Sequence, residues 1–417
     1  MGFSEGLVLA AVISIWVLLL INMCLTVAGY RYYVKCEREG PVSAEDAELP
    51  IVSVMVPAHN EASVIVRTAE SLLRLDYPKD KYEIIIINDN SSDESAVLLE
   101  EIKKKNPGRN FTVINTDAKT GGKGKSNALN IGYQKCTGEY IAIYDADNTP
   151  EPPALRRLAA AIIKDDSLGA VIGKFRTRNR NASLLTRFIN IETLAFQWMA
   201  QAGRWTLFKL CTIPGTNFII RRTILDAIGG WDVKAVAEDT EISFRIYMMG
   251  YRIKLIPQAV TWEQEPQTIP VWFKQRTRWV KGNIYVLLKN LPLLFNKSAS
   301  KVRFDICYFL SIYFILLTAL VISDSVFLGT LIGWVHLNLA GFSVLLWVLA
   351  IILFVVGTFI TLTTEKGEMN LSNLYIIFLM YFTYSKMWMI VAIYGLFQYL
   401  KDALLKRETK WYKTERF

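Results

Sequence analysis

The chain of 417 residues holds only two histidines, His59 and His336, and five cysteines, Cys24, Cys36, Cys136, Cys211 and Cys307. Two histidines leave almost no material for a His-based metal centre or a Ser-His-Asp triad. The cysteines have no CxxC spacing and no pairing pattern, which argues against a zinc site and for a reducing compartment. Acid–base chemistry here must therefore rest on carboxylates. The sequence also lacks a P-loop, a GxGxxG fingerprint, internal repeats and low-complexity tracts. No nucleic-acid-binding motif accompanies the formal net charge of +9. That charge is read as basic collars beside apolar segments, and nucleic acid is excluded as a partner.

Apolar sequence is plentiful, with 52% hydrophobic residues and a mean hydropathy of +0.26. Long apolar runs flank an ordinary globular middle. The expected organisation is a transmembrane helix in residues 1–30, a linker in 31–50, an α/β domain in 51–265, an interfacial helix in 266–300, transmembrane helices in 301–400 and a basic tail in 401–417. Residues 7–28 carry no charge and are long enough to span the ~30 Å of membrane hydrocarbon. No basic segment precedes them and no Ala-x-Ala site follows, so they do not read as a cleaved signal peptide. The collar of Tyr30, Arg31, Tyr32, Tyr33, Lys35 and Arg38 places the globular part in the cytoplasm of a multi-pass plasma-membrane protein. Residues 306–322, 340–362 and 374–396 read as further spans. The last contains Lys386, either a channel-lining residue or a snorkelling one on an interfacial or tilted helix. A cytoplasmic tail requires an even number of crossings after the globular part, and residues 326–339 are the candidate for a fourth.

In the middle, residues 51–57, 82–87, 112–115 and the run Tyr140-Ile141-Ala142-Ile143 read as buried strands. They alternate with helices over 62–75, 94–105 and 126–135, the pattern of βαβ units in a mostly parallel sheet. The strand ends carry polar clusters: Asn60 and Glu61, then Asp89, then Lys125 in a Gly-rich loop, then Asp145 and Asp147. Such sheets bind ligands at that edge, so these residues can meet although far apart in sequence. Alternation along an extended chain points Asp145 and Asp147 to one side. They form either a divalent-cation site suited to Mg²⁺ or Mn²⁺ or a solvated turn.

Pro57-Ala58-His59-Asn60-Glu61, the turn Asn88-Asp89-Asn90-Ser91-Ser92-Asp93, Gly124-Lys125-Ser126-Asn127-Ala128-Leu129-Asn130 and Asp145-Ala146-Asp147 resemble the successive motifs of inverting family-2 glycosyltransferases. Ala237-Glu238-Asp239 resembles that family's catalytic-base motif. Gln275-Arg276-Thr277-Arg278-Trp279 resembles QxxRW, the signature of membrane-bound processive synthases of cellulose, hyaluronan, chitin and poly-N-acetylglucosamine. The resemblance covers residues 50 to 290. It implies a GT-A type α/β domain with a mostly parallel sheet, joined to transmembrane and interfacial helices. It further implies donor binding by Pro57, His59, Asn60, Glu61, Asp89, Lys125, Asp145, Gln275, Arg276 and Arg278, and metal binding by Asp147 and Asp145. Asp239 and Glu238 would be catalytic, while Gly215, Thr216 and Trp279 would meet the acceptor. Asp239 also reads as an N-cap of a helix over 240–249, and Trp279 as an interfacial anchor.

Two departures stand out: His59 replaces a common tyrosine, and the Phe-Cys-Gly form of the acceptor loop is absent. A stretch over Arg176–Arg180 and 184–187 is similar to one in hyaluronan and poly-N-acetylglucosamine synthases and leads into an aromatic interfacial helix over 184–209. Residues 359–366 faintly resemble the gating loop of cellulose synthases. The expected partners are a UDP-sugar donor, preferably UDP-N-acetylglucosamine, a polysaccharide acceptor, the lipid bilayer, and accessory export or regulatory subunits. The alternatives are a UDP-glucose-using glucan synthase, a single-transfer enzyme acting on a lipid carrier, and a nucleotide-sensing assembly subunit.

Overall fold

The computed structural model describes residues 3–296, 299–334, 342–405 and 414–416. Eight strands make one sheet: β1 Val52–Ala58, β2 Tyr82–Asn88, β3 Phe111–Asn115, β4 Tyr140–Ile143, β5 Thr149–Pro150, β6 Leu168–Thr177, β7 Phe218–Arg221 and β8 Arg252–Glu263. Their order is β3-β2-β1-β4-β7-β6-β8-β5. β3, β2, β1 and β4 pair in parallel. β7 runs against both of its neighbours, and β6 and β8 are parallel. The continuous apolar runs follow from this placement, because a parallel strand is covered on both faces. All seven residues of β2 are buried.

The covering helices are α2 Ile65–Leu73, α3 Ser95–Lys105, α4 Lys125–Tyr133 and α5 Ala154–Ile163, preceded in the chain by α1 Phe3–Glu39. α2 shows how they pack: Ile65, Ala69 and Leu72 recur at helical spacing and are buried against the sheet.

The expected helix over 184–209 is composite. α6 Leu184–Ala195 runs through a π-helical segment, Phe196–Gly203, into α7 Arg204–Phe208. The π segment buries Gln197 and Gln201, which bind the surrounding backbone. Gln197 Oε1 accepts from Phe175 N at 2.9 Å, and Gln201 Oε1 accepts from Thr212 N at 2.9 Å. This segment therefore fixes β6 and the loop before β7. α1 crosses it in close contact: a Cβ at Gly29 would lie 1.8 Å from Trp198 O, and one at Gly203 2.2 Å from Leu25 O. Below that crossing, Tyr32 Oη donates to Leu255 O at 2.6 Å, tying α1 to β8.

α8 Arg222–Ile228, α9 Glu238–Met248 and α10 Ile269–Asn290 complete the globular part, followed by α11 Ser300–Leu310, α12 Leu317–Leu331, α13 Phe342–Leu362, α14 Leu371–Phe382 and α15 Tyr384–Leu404. Among the described residues three helical stretches are long and apolar enough to cross a membrane, Glu5–Glu39, Val302–Val326 and Leu371–Leu404, with Val348–Leu362 a shorter apolar helix. The stretch expected over 374–396 is broken where α14 gives way to α15. Lys386 meets Asp324 of α12 at 2.6 Å, so the charge that interrupted the apolar run has a carboxylate partner. Residues 335–341, 406–413 and 417, which include His336, part of the candidate fourth crossing and most of the basic tail, lie outside the described residues.

The segment over 359–366 is anchored to β6. Its first four residues end α13, and Glu365 is held by Lys174 and, at 2.5 Å, by Arg176. Glu368 lies 3.3 Å from Arg180.

Candidate active site

Register brings the strand ends to one edge: Ala58 pairs with Asn88, Asn88 with Asn115, and Ile143 with Phe218. The loops that follow β1, β2 and β4 and the loop that precedes β7 therefore open together. Asp89 is fixed there, its Oδ1 accepting from Thr116 Oγ1 at 2.9 Å and Gly122 N at 3.0 Å. Gly121 permits this contact, since a Cβ would fall 2.4 Å from Asp89 Oδ1. His59 Nδ1 lies 2.6 Å from Asp89 O. Asn60 is engaged in the turn. It adopts φ 55° and its Oδ1 accepts from Ser92 N at 2.7 Å, so it shapes the turn, whereas Pro57, His59 and Glu61 line the cavity described below.

Lys125 is the hub of the acidic groups. Its Nζ lies 2.7 Å from Asp145 Oδ1 and 3.2 Å from Glu238 Oε1, and it donates to Gly215 O at 2.8 Å. Burial disfavours the ammonium, but Asp145 and Glu238 outweigh it and hold the pKa above the ordinary lysine value. Asp239 follows Glu238 in the first turn of α9, whose N-cap position falls to Ala237. Asp239 Oδ1 accepts from Thr240 N at 2.7 Å. Burial and then the like charge of Glu238 raise its pKa to about 7, against the weaker opposing pull of Lys125, the Thr240 N–H and Arg278. A carboxylate poised near neutrality suits a general base.

Thr216 is buried and braces the loop: it accepts from Asp145 N at 3.0 Å and donates to Asn148 Oδ1 at 2.7 Å. Asp147 is also buried, with Oδ2 accepting from Gln264 N at 3.2 Å and facing Arg416 Nη1 at 2.9 Å. Arg416 also donates to Gln264 O at 2.9 Å, and its Nε lies 3.9 Å from Glu61. Glu263 and Glu265 join from the end of β8. Burial, then Glu265, Asp147 and Asp145, push the Glu263 carboxyl well above its usual range, while Arg416 opposes the shift.

α10 supplies the last group. Arg278 feels burial first, then the charges of Glu238, Asp239 and Asp145. Its Nε is buried without a hydrogen-bond partner among the described residues. Arg276 is 1% exposed. It pairs with Glu192 at 2.9 Å and its guanidinium carbon lies 3.9 Å from the Trp279 ring centroid. Gln275 Oε1 accepts from Arg276 Nη1 at 3.1 Å. Arg276, which the resemblance assigns to the donor, is held in an internal ion pair with Glu192.

One cavity of about 750 Å³ joins these groups. It runs from His59, Asp89, Asp145 and Asp147 past Asp239 and Trp279 to Asn22 and Thr26 of α1, Phe354 and Thr358 of α13, and Trp388 of α15. Among the described residues no three His, Cys, Asp or Glu side chains form a self-sufficient metal cage. Asp147 nonetheless holds a positive group, the Arg416 guanidinium, on Oδ2. Asp145 and Asp147 thus fit a hard cation of the kind held by one or two carboxylates plus substrate phosphates.

A family model described as "Glycosyltransferase like family 2" matches residues 50–282. The chain belongs to glycosyltransferase family 2. This glycosyltransferase is 49% identical to "Probable glycosyltransferase YdaM" of Bacillus subtilis (strain 168), over 97% of this chain and 96% of that protein. It is 30% identical to a poly-beta-1,6-N-acetyl-D-glucosamine synthase of Staphylococcus epidermidis, over 74% of this chain and 77% of that protein. Among solved structures, the mannosyltransferase PcManGT from Pyrobaculum calidifontis, in complex with GDP-Man and Mn²⁺, superposes with a TM-score of 0.60 at 22% identity, over 92% of this chain and 99% of that one. The shared GT-A-like fold is what that likeness shows.

Four charged residues of the glycosyltransferase's cavity, Glu192, Glu263, Glu265 and Arg416, were missed by sequence reasoning. A signal existed for two of them. Glu263-Gln264-Glu265 repeats the acid-x-acid pattern of Asp145-Ala146-Asp147 directly after a strand. Glu192 sits within an aromatic helix and Arg416 beyond the last apolar run, and neither position carries a local pattern.

Proposed function

We propose that the enzyme transfers a sugar from a UDP-sugar, with N-acetylglucosamine the preferred unit, to the end of a growing β-linked polysaccharide at the cytoplasmic face of the plasma membrane, and that the product leaves through the helices. The single observation that carries this reading is the continuity of the cavity from the carboxylate cluster into α1, α13 and α15. The 30% identity to a poly-beta-1,6-N-acetyl-D-glucosamine synthase supports the choice of sugar; UDP-glucose is the second donor.

In this reading Asp239 takes the proton from the acceptor hydroxyl. The resulting oxygen attacks the anomeric carbon from the face opposite the diphosphate, the bond from that carbon to the diphosphate oxygen breaks, and one inversion results. Arg278, with its free Nε, and Arg416, at the mouth of the acidic cluster, face the negative charge that builds on the leaving UDP. A divalent cation, Mg²⁺ or Mn²⁺, supplies further countercharge to the diphosphate when bound, and Asp147 with Asp145 would hold it. Trp279 offers an aromatic face to the acceptor sugar. Lys125 keeps Asp145, Glu238 and the Gly215 carbonyl in one arrangement.

A single-transfer enzyme acting on a lipid carrier draws support from the apolar part of the cavity wall, where Leu19, Met23 and Leu353 lie. The test is to supply purified full-length enzyme with a panel of radiolabelled UDP-sugars and Mg²⁺ or Mn²⁺, then size the product. Long polymer from one donor supports the synthase reading, one sugar on lipid supports the carrier reading, and no product overturns both.

A further inference from the structure

Arg276 and Trp279 are one helical turn apart on α10, and the Arg276 guanidinium carbon sits 3.9 Å from the Trp279 ring centroid. A guanidinium so placed occupies one face of the indole. Trp279 is nevertheless 38% exposed and lines the cavity, so part of its ring is open to a ligand. The guanidinium is itself held from two other helices. Its Nη2 donates to Glu192 Oε2 on α6 at 2.9 Å. Tyr384 Oη, at the start of α15, donates to the same oxygen at 2.8 Å. Trp272 Nε1 donates to Tyr384 Oη at 3.0 Å, closing the arrangement back onto α10.

Burial explains why each link matters. Arg276 is fully buried, so without Glu192 it would be a buried charge lacking its ion-pair partner. Glu192, Arg276, Trp279 and Tyr384 all line the cavity. Tyr384 is the first residue of α15, just after Thr383, where the preceding helix breaks with φ −119° and ψ −70°.

We infer that Glu192 and Tyr384 are positioning residues for acceptor binding, which act by clamping Arg276 against one face of Trp279 so that the other face is presented to the acceptor sugar. The orientation of the platform is then set jointly by α6 and α15, both of which contribute to the cavity wall. The inference rests on the reading of Trp279 as the acceptor platform.

The test uses the detergent-purified full chain with whichever UDP-sugar it incorporates, and oligosaccharides of its own product as acceptors. Glu192→Gln and Tyr384→Phe should each raise the acceptor KM by roughly tenfold, leave the donor KM within about twofold and change kcat little, the split expected when binding of one substrate alone is weakened. In a Trp279→Ala background the same substitutions should add less than about twofold, because coupled residues are non-additive. Tyr384→Phe removes only a hydroxyl and so reports even if Glu192→Gln folds poorly. Unchanged acceptor KM in Tyr384→Phe, equal effects on donor and acceptor, or full additivity with Trp279→Ala would each overturn the inference. If Trp279→Ala leaves acceptor KM unchanged, the platform reading fails and the clamp fails with it. A Trp279→Ala defect alongside a silent Tyr384→Phe sinks the clamp alone.

Discussion

Arg416 Nη1 lies 2.9 Å from Asp147 Oδ2, which sets an arginine on the oxygen that a divalent cation would also claim. A cation bound there would compete with Arg416 for one carboxylate. In the absence of nucleotide, Arg416→Ala should tighten Mn²⁺ binding by roughly three- to tenfold, as removal of a competing charge requires. Titration of the Mn²⁺ electron paramagnetic resonance signal measures this without reference to activity. Unchanged affinity would place the cation elsewhere.

The proton balance of Asp239 predicts the pH profile. An ordinary aspartate titrates near 3.8, whereas Asp239 is raised to about 7 by burial and by Glu238. A base works only when ionised, so kcat/KM should fall as pH drops through about 7, losing roughly tenfold per unit below it. The acidic limb measured from initial rates checks this. A limb near 4 would show that Asp239 is not the group titrating.

Lys125 pulls the Asp239 pKa downward and neutralises Asp145 and Glu238. Lys125→Met should therefore move the acidic limb to higher pH and lower kcat/KM at neutral pH by at least about tenfold, a typical loss for a group that organises charge in a site. A limb that moves to lower pH would contradict the assignment.

Glu365 is 4% exposed in its side chain and joins the loop after α13 to Lys174 and Arg176 of β6. Glu365→Ala leaves Lys174 without its carboxylate and Arg176 with only the more distant Glu368, at 3.7 Å, and losing one partner of a buried pair costs about 3–5 kcal/mol. Thermal unfolding in detergent should show a clear drop in Tm, partly restored by a compensating Lys174→Met. An unchanged Tm would mean that the loop contributes nothing to stability.

Four of the eight strands, β1 to β4, and the polar residues at their ends can be read from the chain before any coordinates, and the reason is physical. A buried parallel strand needs an unbroken apolar run, and its end announces itself with polar residues, as at Ile84–Asp89 and Tyr140–Asp145. Asp239 stood out because Ala237-Glu238-Asp239 resembles the family's catalytic-base motif. The turn contact of Asn60 could not be read because a motif position does not reveal which backbone groups its amide meets. The ion pair of Arg276 could not be read because its partner Glu192 is more than eighty residues away, on a helix whose pattern is otherwise aromatic. Arg416 depends on where a tail folds back, which no local periodicity encodes.

The most direct test of sugar transfer at this carboxylate cluster compares wild type with Asp239→Asn, measuring UDP binding and labelled-sugar incorporation on the same preparations. The account predicts UDP affinity within about twofold of wild type and incorporation lower by roughly 10²- to 10⁴-fold, the usual contribution of a general base. Incorporation at the wild-type rate by Asp239→Asn would contradict it.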